Sequence, residues 1–393
     1  MKDAIDLNFV ALVFGLFVLP RYLERWYIPA GITAFALGLA AASCCTGFRF
    51  DELIGFLAVL GISSLFLLAG IEADLSELKK VWRFLAVHIA GTLVVLALIT
   101  TLTVQFLGLP LNIAGLLALA LATPSTGFIL DAIPSLPLTE EQRFWVKSKA
   151  IGTELVALLI MFFLLQSHSL EKLALSALGL FLIVAVLPLV FMGFAKIVSP
   201  HARNAEFSFF IVLAVLVGIA TKRLGTYYLV GAFIVGLAVQ RFEELFEVMN
   251  ANKVYDALKL FCTFFVPFYF YRAGNRLSMD AFSMEALMGG VALTLLVVPL
   301  RLLPLYIQRR MYFRENFKQI MSVGISITPT LVFGLVISEI LRTRYELDID
   351  IFGALVTYTI LVTVIPGFIL RNSRFQDIPE PHEVYGSLGK GSS

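Results

Sequence analysis

Charge is what this chain has least of. Of its 393 residues only 15% are Asp, Glu, Lys or Arg, against 59% that are hydrophobic. One soluble core has no room for so much apolar surface, so the shortage excludes a soluble globular domain. The net charge of +2 and the scatter of basic residues through short loops leave no footprint for nucleic acid. Three cysteines, the adjacent Cys44 and Cys45 and the isolated Cys262, make neither a disulfide framework nor a zinc pattern. Neither an HExxH motif nor a catalytic triad signature is present, and the closing GSLGKGSS (Gly386 to Ser393) lacks the spacing of a phosphate loop. No cofactor is expected.

What is abundant is apolar sequence in runs of about 17 to 25 residues, the length that a bilayer core requires. The chain divides into about thirteen such spans: 6–20, 28–44, 53–71, 84–106, 113–131, 143–166, 172–195, 207–221, 227–240, 255–274, 285–307, 318–340 and 350–370. An all-α, multi-pass membrane protein follows. A short polar tail, 372–393, closes it.

Two proline-broken apolar segments stand out, LALATPSTGFIL (Leu119 to Leu130) and SVGISITPTLVFGL (Ser322 to Leu335). A proline there frees backbone groups that lipid cannot satisfy, so the break survives only where protein, water or an ion meets it. Thr123-Pro124 recurs as Thr328-Pro329, Ala69-Gly70 as Ala273-Gly274, and Gly38-Leu39 as Gly236-Leu237, all about 200 residues apart and in the same order. The chain therefore reads as two six-helix repeats, about 6–166 and 207–370, joined by a linker helix at about 172–195. Equivalent helices are seven spans apart, an odd number, so the repeats are inverted and their discontinuous helices cross, the plan of many secondary transporters.

Lys and Arg set the orientation. With the amino terminus outside and the carboxyl terminus in the cytoplasm, cytoplasmic loops hold 18 of the 30 basic residues and outside loops hold eight. The expected location is the cell (inner) membrane.

Within the sixth span Glu154 lies about 12 residues, or about 18 Å, from either end, which puts it at mid-membrane. Arg301 lies within the eleventh span and is the candidate charge partner. A carboxylate at such depth faces water, a cation or a basic group. A proton and a metal ion then compete for it, and that competition couples opposite fluxes. Thr123, Ser125 and Thr126 at the first break, and Ser326, Thr328 and Thr330 at the second, offer the hard oxygen ligands that an alkali cation takes. The plainer alternative for each hydroxyl is a hydrogen bond back onto its own helix. Without a His, Cys or second acid predicted at comparable depth, Glu154 makes a poor catalytic set, so an enzyme is not expected.

The segments LFLLAGIEADLSELKK (Leu65 to Lys80), ATPSTG (Ala122 to Gly127) and TFFVPFYFYRAGNRLSM (Thr263 to Met279) resemble signatures of the Kef-type and Nap-type monovalent cation:proton antiporters. Arg301 matches the basic residue of that family's penultimate helix. The resemblance runs from Leu7 to Arg371. It implies a thirteen-helix homodimer, with a dimerisation domain and a mobile core, exchanging Na⁺ or K⁺ for H⁺ by an elevator-like movement. One departure stands out: where the family carries Asp-Asp, Asn-Asp or Gln-Asp, this chain has Thr153-Glu154. One carboxylate favours one cation per proton. It also opens a second reading, a non-transporting or channel-like protein on the same scaffold.

Overall fold

The computed structural model describes residues 2–26, 28–44, 48, 51–133, 136, 138–166, 169–202, 205–225, 227–241, 251–277 and 279–372. The predicted polar tail lies outside the described residues from 373 onward. All regular elements among the described residues are helical.

In chain order they are α1 (Lys2–Leu23), α2 (Ala30–Cys44), α3 (Glu52–Ile71), the short α4 (Leu75–Lys80), α5 (Trp82–Leu107), α6 (Leu111–Ala122) and α7 (Thr126–Ala132). Then come α8 (Glu140–Gln166), α9 (Leu170–Gly193), α10 (Ala205–Arg223), α11 (Tyr228–Arg241), α12 (Ala251–Asn275), α13 (Met284–Tyr312), α14 (Phe317–Ser326), α15 (Leu331–Tyr345) and α16 (Ile349–Asn372). Among the described residues eight helical stretches are long and apolar enough to cross a membrane, with α6 and α7 taken together, and the bent pair α14 and α15 makes a ninth. The shorter apolar helices α2 and α11, with α1 and α12, bring the segments to the thirteen that the sequence predicts.

Both predicted breaks are real. α6 ends at Ala122 because Thr123 turns extended (φ −83°, ψ 122°) ahead of Pro124, and helix resumes at Thr126. α14 starts on a reciprocal cap between Asn316 and Gln319, stops at Ser326, and is bent by 46° from α15, which begins after Pro329.

The helices sort into two bundles. In the first, α3 and α12 pack on each other, α2 packs on α12, α11 packs on α3, and α1 and α10 flank them. In the second, α5, α6, α8 and α13 to α16 surround the two breaks, and α7 packs on α8. α9 touches both bundles, through α8 on one side and α10 and α11 on the other.

The repeated glycines explain the packing of the first bundle. Gly38 of α2 abuts the Tyr271 carbonyl of α12, while Gly274 of α12 abuts the Phe35 carbonyl of α2. The exchanged pair does the same: Gly70 of α3 meets the Phe233 carbonyl of α11, and Gly236 of α11 meets that of Leu67 on α3. A Cβ at any of the four would collide with backbone, so small residues are what let these helices approach.

Candidate ion-binding site

The two breaks touch. The Ser125 amide donates to the Pro329 carbonyl (2.9 Å), and the Ser125 hydroxyl oxygen accepts the amides of Val332 (2.9 Å) and Phe333 (3.1 Å). The first turn of a helix has amides without partners in its own helix. In α15 the residue at the capping position, Thr330, gives no side-chain cap. Ser125 supplies it from the other break, so its oxygen is committed to a structural role as a cap rather than facing an ion site freely.

Glu154 sits in α8, 14 residues after its first residue and 12 before its last, and is 1% exposed. Its carboxylate accepts the Thr126 amide (2.9 Å) at the start of α7. An anion there satisfies an orphan donor and the positive end of a helix dipole together.

Arg301 is not the charge partner that the sequence predicts. Among the described residues the ion pairs are Arg143–Glu140, Arg276–Glu339 and Arg309–Glu315; Glu154 is in none of them. The Arg301 guanidinium instead donates to the carbonyls of Leu121 (3.3 Å), Thr328 (2.9 Å) and Ile327 (3.1 Å), and to the Tyr358 hydroxyl (3.1 Å). Tyr358 in turn donates to the Leu121 carbonyl (2.6 Å). These acceptors close α6 and α14, where carbonyls lack partners and the dipoles are negative. The physical reason for the correction is this division of labour: the cation serves two carboxyl-terminal half-helix ends, and the anion serves an amino-terminal one.

The six candidate hydroxyls divide evenly. Ser326 bonds back to the Ser322 carbonyl (2.7 Å), Thr328 to that of Ile325 (2.7 Å), and Ser125 is the cap already described. The hydroxyls of Thr123, Thr126 and Thr330 are buried without a hydrogen-bond partner. Buried polar atoms are normally paired. Three unpaired oxygens at the two breaks, one of them on the residue whose amide holds Glu154, therefore form a donor set suited to a hard cation.

Two cavities flank the crossing. A larger one, about 520 Å³, separates the bundles; Leu65, Leu68 and Glu72 of the first face Gly127, Ser326 and Pro329 of the second across it. It reaches the breaks without being lined by Glu154. A smaller one, about 30 Å³, is lined by His88, Thr92, Thr153, Arg301 and Thr328 and has room for about two waters.

Several residues here were missed by sequence reasoning. His88 is 8% exposed, with Nε2 3.3 Å from the Thr153 hydroxyl, so a histidine does share the depth of Glu154. Lys149 is fully buried and donates to Gln308 (2.5 Å), whose amide donates to the Phe84 carbonyl (2.5 Å). Arg309 is buried against Glu315, with the rings of Trp145 and Phe313 within 6.0 and 5.1 Å. Lys259 and Arg272 lie on α12; Lys259 lines the larger cavity and Arg272 donates to the Gly55 carbonyl (3.1 Å). Glu72 also lines that cavity and accepts from the Tyr255 hydroxyl.

Comparison with known proteins gives one consistent result. The family model described as sodium/hydrogen exchanger, transmembrane, matches residues 9–372. A probable Na⁺/H⁺ antiporter 3 of Methanocaldococcus jannaschii is 24% identical over 370 residues, covering 91% of this chain and 93% of its own. A Na⁺/H⁺ antiporter of Enterococcus hirae is 25% identical over 363 residues, covering 88% and 92%. Among solved structures, the sodium proton antiporter MjNhaP1 from Methanocaldococcus jannaschii at pH 8 aligns with a TM-score of 0.66 at 15% identity, over 94% of this chain and 97% of that one. The last likeness establishes the fold.

Proposed function

The chain belongs to the sodium/hydrogen exchanger family, and from that premise we propose that it exchanges Na⁺ for H⁺ across a membrane, one for one, at Glu154. The observation that carries the proposal is a buried carboxylate outside any ion pair among the described residues, fixed at the first of two touching helix breaks that between them hold three buried hydroxyls without a hydrogen-bond partner. One such anion is neutralised by one proton or by one Na⁺. Because Thr153 stands where a second acid would bring another charge, the exchange carries no net charge. Thr123, Thr126 and Thr330 are the side-chain ligands of the cation, with help from the carbonyls of the breaks. Na⁺ is chosen because the relatives are named for it; K⁺, which the Kef-type resemblance admits, is the comparison arm of the test.

The movement follows from the two bundles. The second carries the breaks, Glu154 and Arg301 as one body, and the first is the scaffold against which it travels. The division into repeats at about 6–166 and 207–370 around a linker at about 172–195 belongs to the same reading. So does the orientation with the amino terminus outside, which turns the larger cavity and its residues Arg21, Glu24 and Glu72 toward the cytoplasm.

The test is exchange in proteoliposomes with an internal pH dye and imposed Na⁺, K⁺ or Li⁺ gradients. Wild type is expected to acidify or alkalinise the lumen according to the direction of the Na⁺ gradient, and Glu154→Gln to be silent. Undiminished exchange in Glu154→Gln overturns the assignment, and a cation current indifferent to the proton gradient establishes the channel-like alternative.

A further inference from the structure

The larger cavity lies at one end of the gap between the bundles, and the other end is shut by polar contacts. On α12 the cavity is lined by Lys259, Cys262, Val266 and Phe270, whereas Arg276 follows the last residue of that helix. The lining residue nearest to it, Phe270, is about 9 Å of helix short of Arg276. On α15 the cavity touches Val332 in the first turn, and Glu339 lies two turns further away.

At this far end Arg276 of the first bundle and Glu339 of the second form an ion pair at 2.7 Å. A second contact crosses between the bundles at the end of α8. Gln166, the last residue of α8 and 5% exposed, donates to the Leu224 carbonyl (2.9 Å) in the connection from α10 to α11. The same carbonyl accepts from Ser176 of α9 (2.5 Å). Next to it Gly225 takes φ +81°, and a Cβ there would stand 2.6 Å from the Gln166 amide nitrogen. The fit of Gln166 against this turn is thus as close as backbone allows.

We propose that Arg276–Glu339 and Gln166–Leu224 form a latch that holds the mobile bundle to the scaffold on the closed side, and that alternation requires it to open. The inference rests on the alternating-access reading given above. Arg276 and Glu339 are positioning residues: they act on which side the crossing faces. Breaking the latch lowers the population of the state in which the larger cavity is open.

Cys262 is a built-in reporter, since it lines that cavity. With Cys44 and Cys45 replaced by Ser, the rate of Cys262 modification by a small charged methanethiosulfonate measures how long the cavity stays open. The side chains of Arg276 and Glu339 are 40% and 35% exposed, so neutral substitutions meet no packed core. Arg276→Gln and Glu339→Gln are each expected to slow modification by about two- to five-fold, the range that an exposed ion pair supports. The exchanged pair, Arg276→Glu with Glu339→Arg, is expected to restore the rate. An unchanged rate in both single variants overturns the latch, and so does a slowed rate that the exchanged pair leaves slow. Absence of Na⁺/H⁺ exchange in wild-type liposomes would instead reject the proposed function, and the modification rates are read without any transport assay.

Discussion

Ser125 donates its amide to the carbonyl of Pro329, so the residue that follows one break proline is bonded to the other break proline. The two discontinuous helices are stitched at the point where each has lost its own ladder. This arrangement separates hydroxyls that hold the crossing together from hydroxyls left for an ion.

Ser125→Ala and Thr123→Val are expected to differ in kind. The first leaves the buried amides of Val332 and Phe333 without their acceptor, at a cost of about 1–3 kcal/mol for each unsatisfied group. The second removes a hydroxyl that has no partner. A melt in detergent is expected to show a clear fall in Tm for Ser125→Ala and little for Thr123→Val. In the exchange assay Thr123→Val is expected to raise the Na⁺ concentration for half-maximal rate. Equal Tm values for the two variants would contradict the capping role.

Arg301→Leu is expected to destabilise more than Arg301→Lys. Leucine strands the carbonyls of Leu121, Ile327 and Thr328 and the Tyr358 hydroxyl, and hydrogen bonds to a charged donor contribute about 1.5–3 kcal/mol each. Lysine keeps a cation at the two negative helix ends but lacks the planar fork that reaches several acceptors. The order of Tm values, wild type above Lys above Leu, is the check.

Much of this was legible in the sequence, for definable reasons. Span boundaries came within a few residues because bilayer length and apolar composition leave little freedom, and the breaks came from Pro124 and Pro329, which have no amide to give. The partners of Arg301 were not legible. Backbone carbonyls carry no sequence signal, and the closest oppositely charged residue at similar depth drew the pairing to Glu154. The burial of His88 and Lys149 was not legible either, since both lie within the first two turns of their predicted spans. α8 begins at Glu140, three residues before the predicted span, and Lys149 packs there against Gln308 of α13, a contact 159 residues away in sequence.

Gly70→Ala is expected to cost about 1–3 kcal/mol, because the added methyl meets the Phe233 carbonyl and overpacking of that kind strains backbone. Gly15→Ala serves as the control. Nothing lies within 4 Å of its would-be Cβ, and Ala in place of Gly inside a helix is favourable by up to about 1 kcal/mol. Opposite signs of the Tm change would be the expected outcome, measured on both variants side by side.

Asp74 caps α4 by accepting the amides of Ser76 and Glu77. The Ser76 hydroxyl, first among the causes, holds its carboxyl below the usual carboxylate range. Its contribution is therefore fully present above the ordinary Asp range and is lost as pH falls through the lowered value. The protection of the amides of residues 75–80, each rate being referred to the unprotected rate at the same pH, is expected to fall on acidification in wild type and to be low at all pH values in Asp74→Ala.

If one carboxylate serves proton and cation in turn, the pH dependence of Na⁺ affinity has a fixed slope. Below the titration of Glu154 the site is mostly protonated, and each Na⁺ bound must displace one proton. Lowering the pH by one unit then raises the Na⁺ concentration for half-maximal exchange about tenfold, as linkage between two ligands of one site requires. At higher pH the site is already ionised and the concentration levels off. A pair of coupled acids would give a steeper limb, up to about a hundredfold per unit when two protons leave together. Measuring half-saturation by Na⁺ across the pH range distinguishes these cases. A limb of slope one supports Glu154 acting alone beside Thr153, a limb of slope two points to a second titrating group such as His88, and a flat profile removes competition from the mechanism altogether.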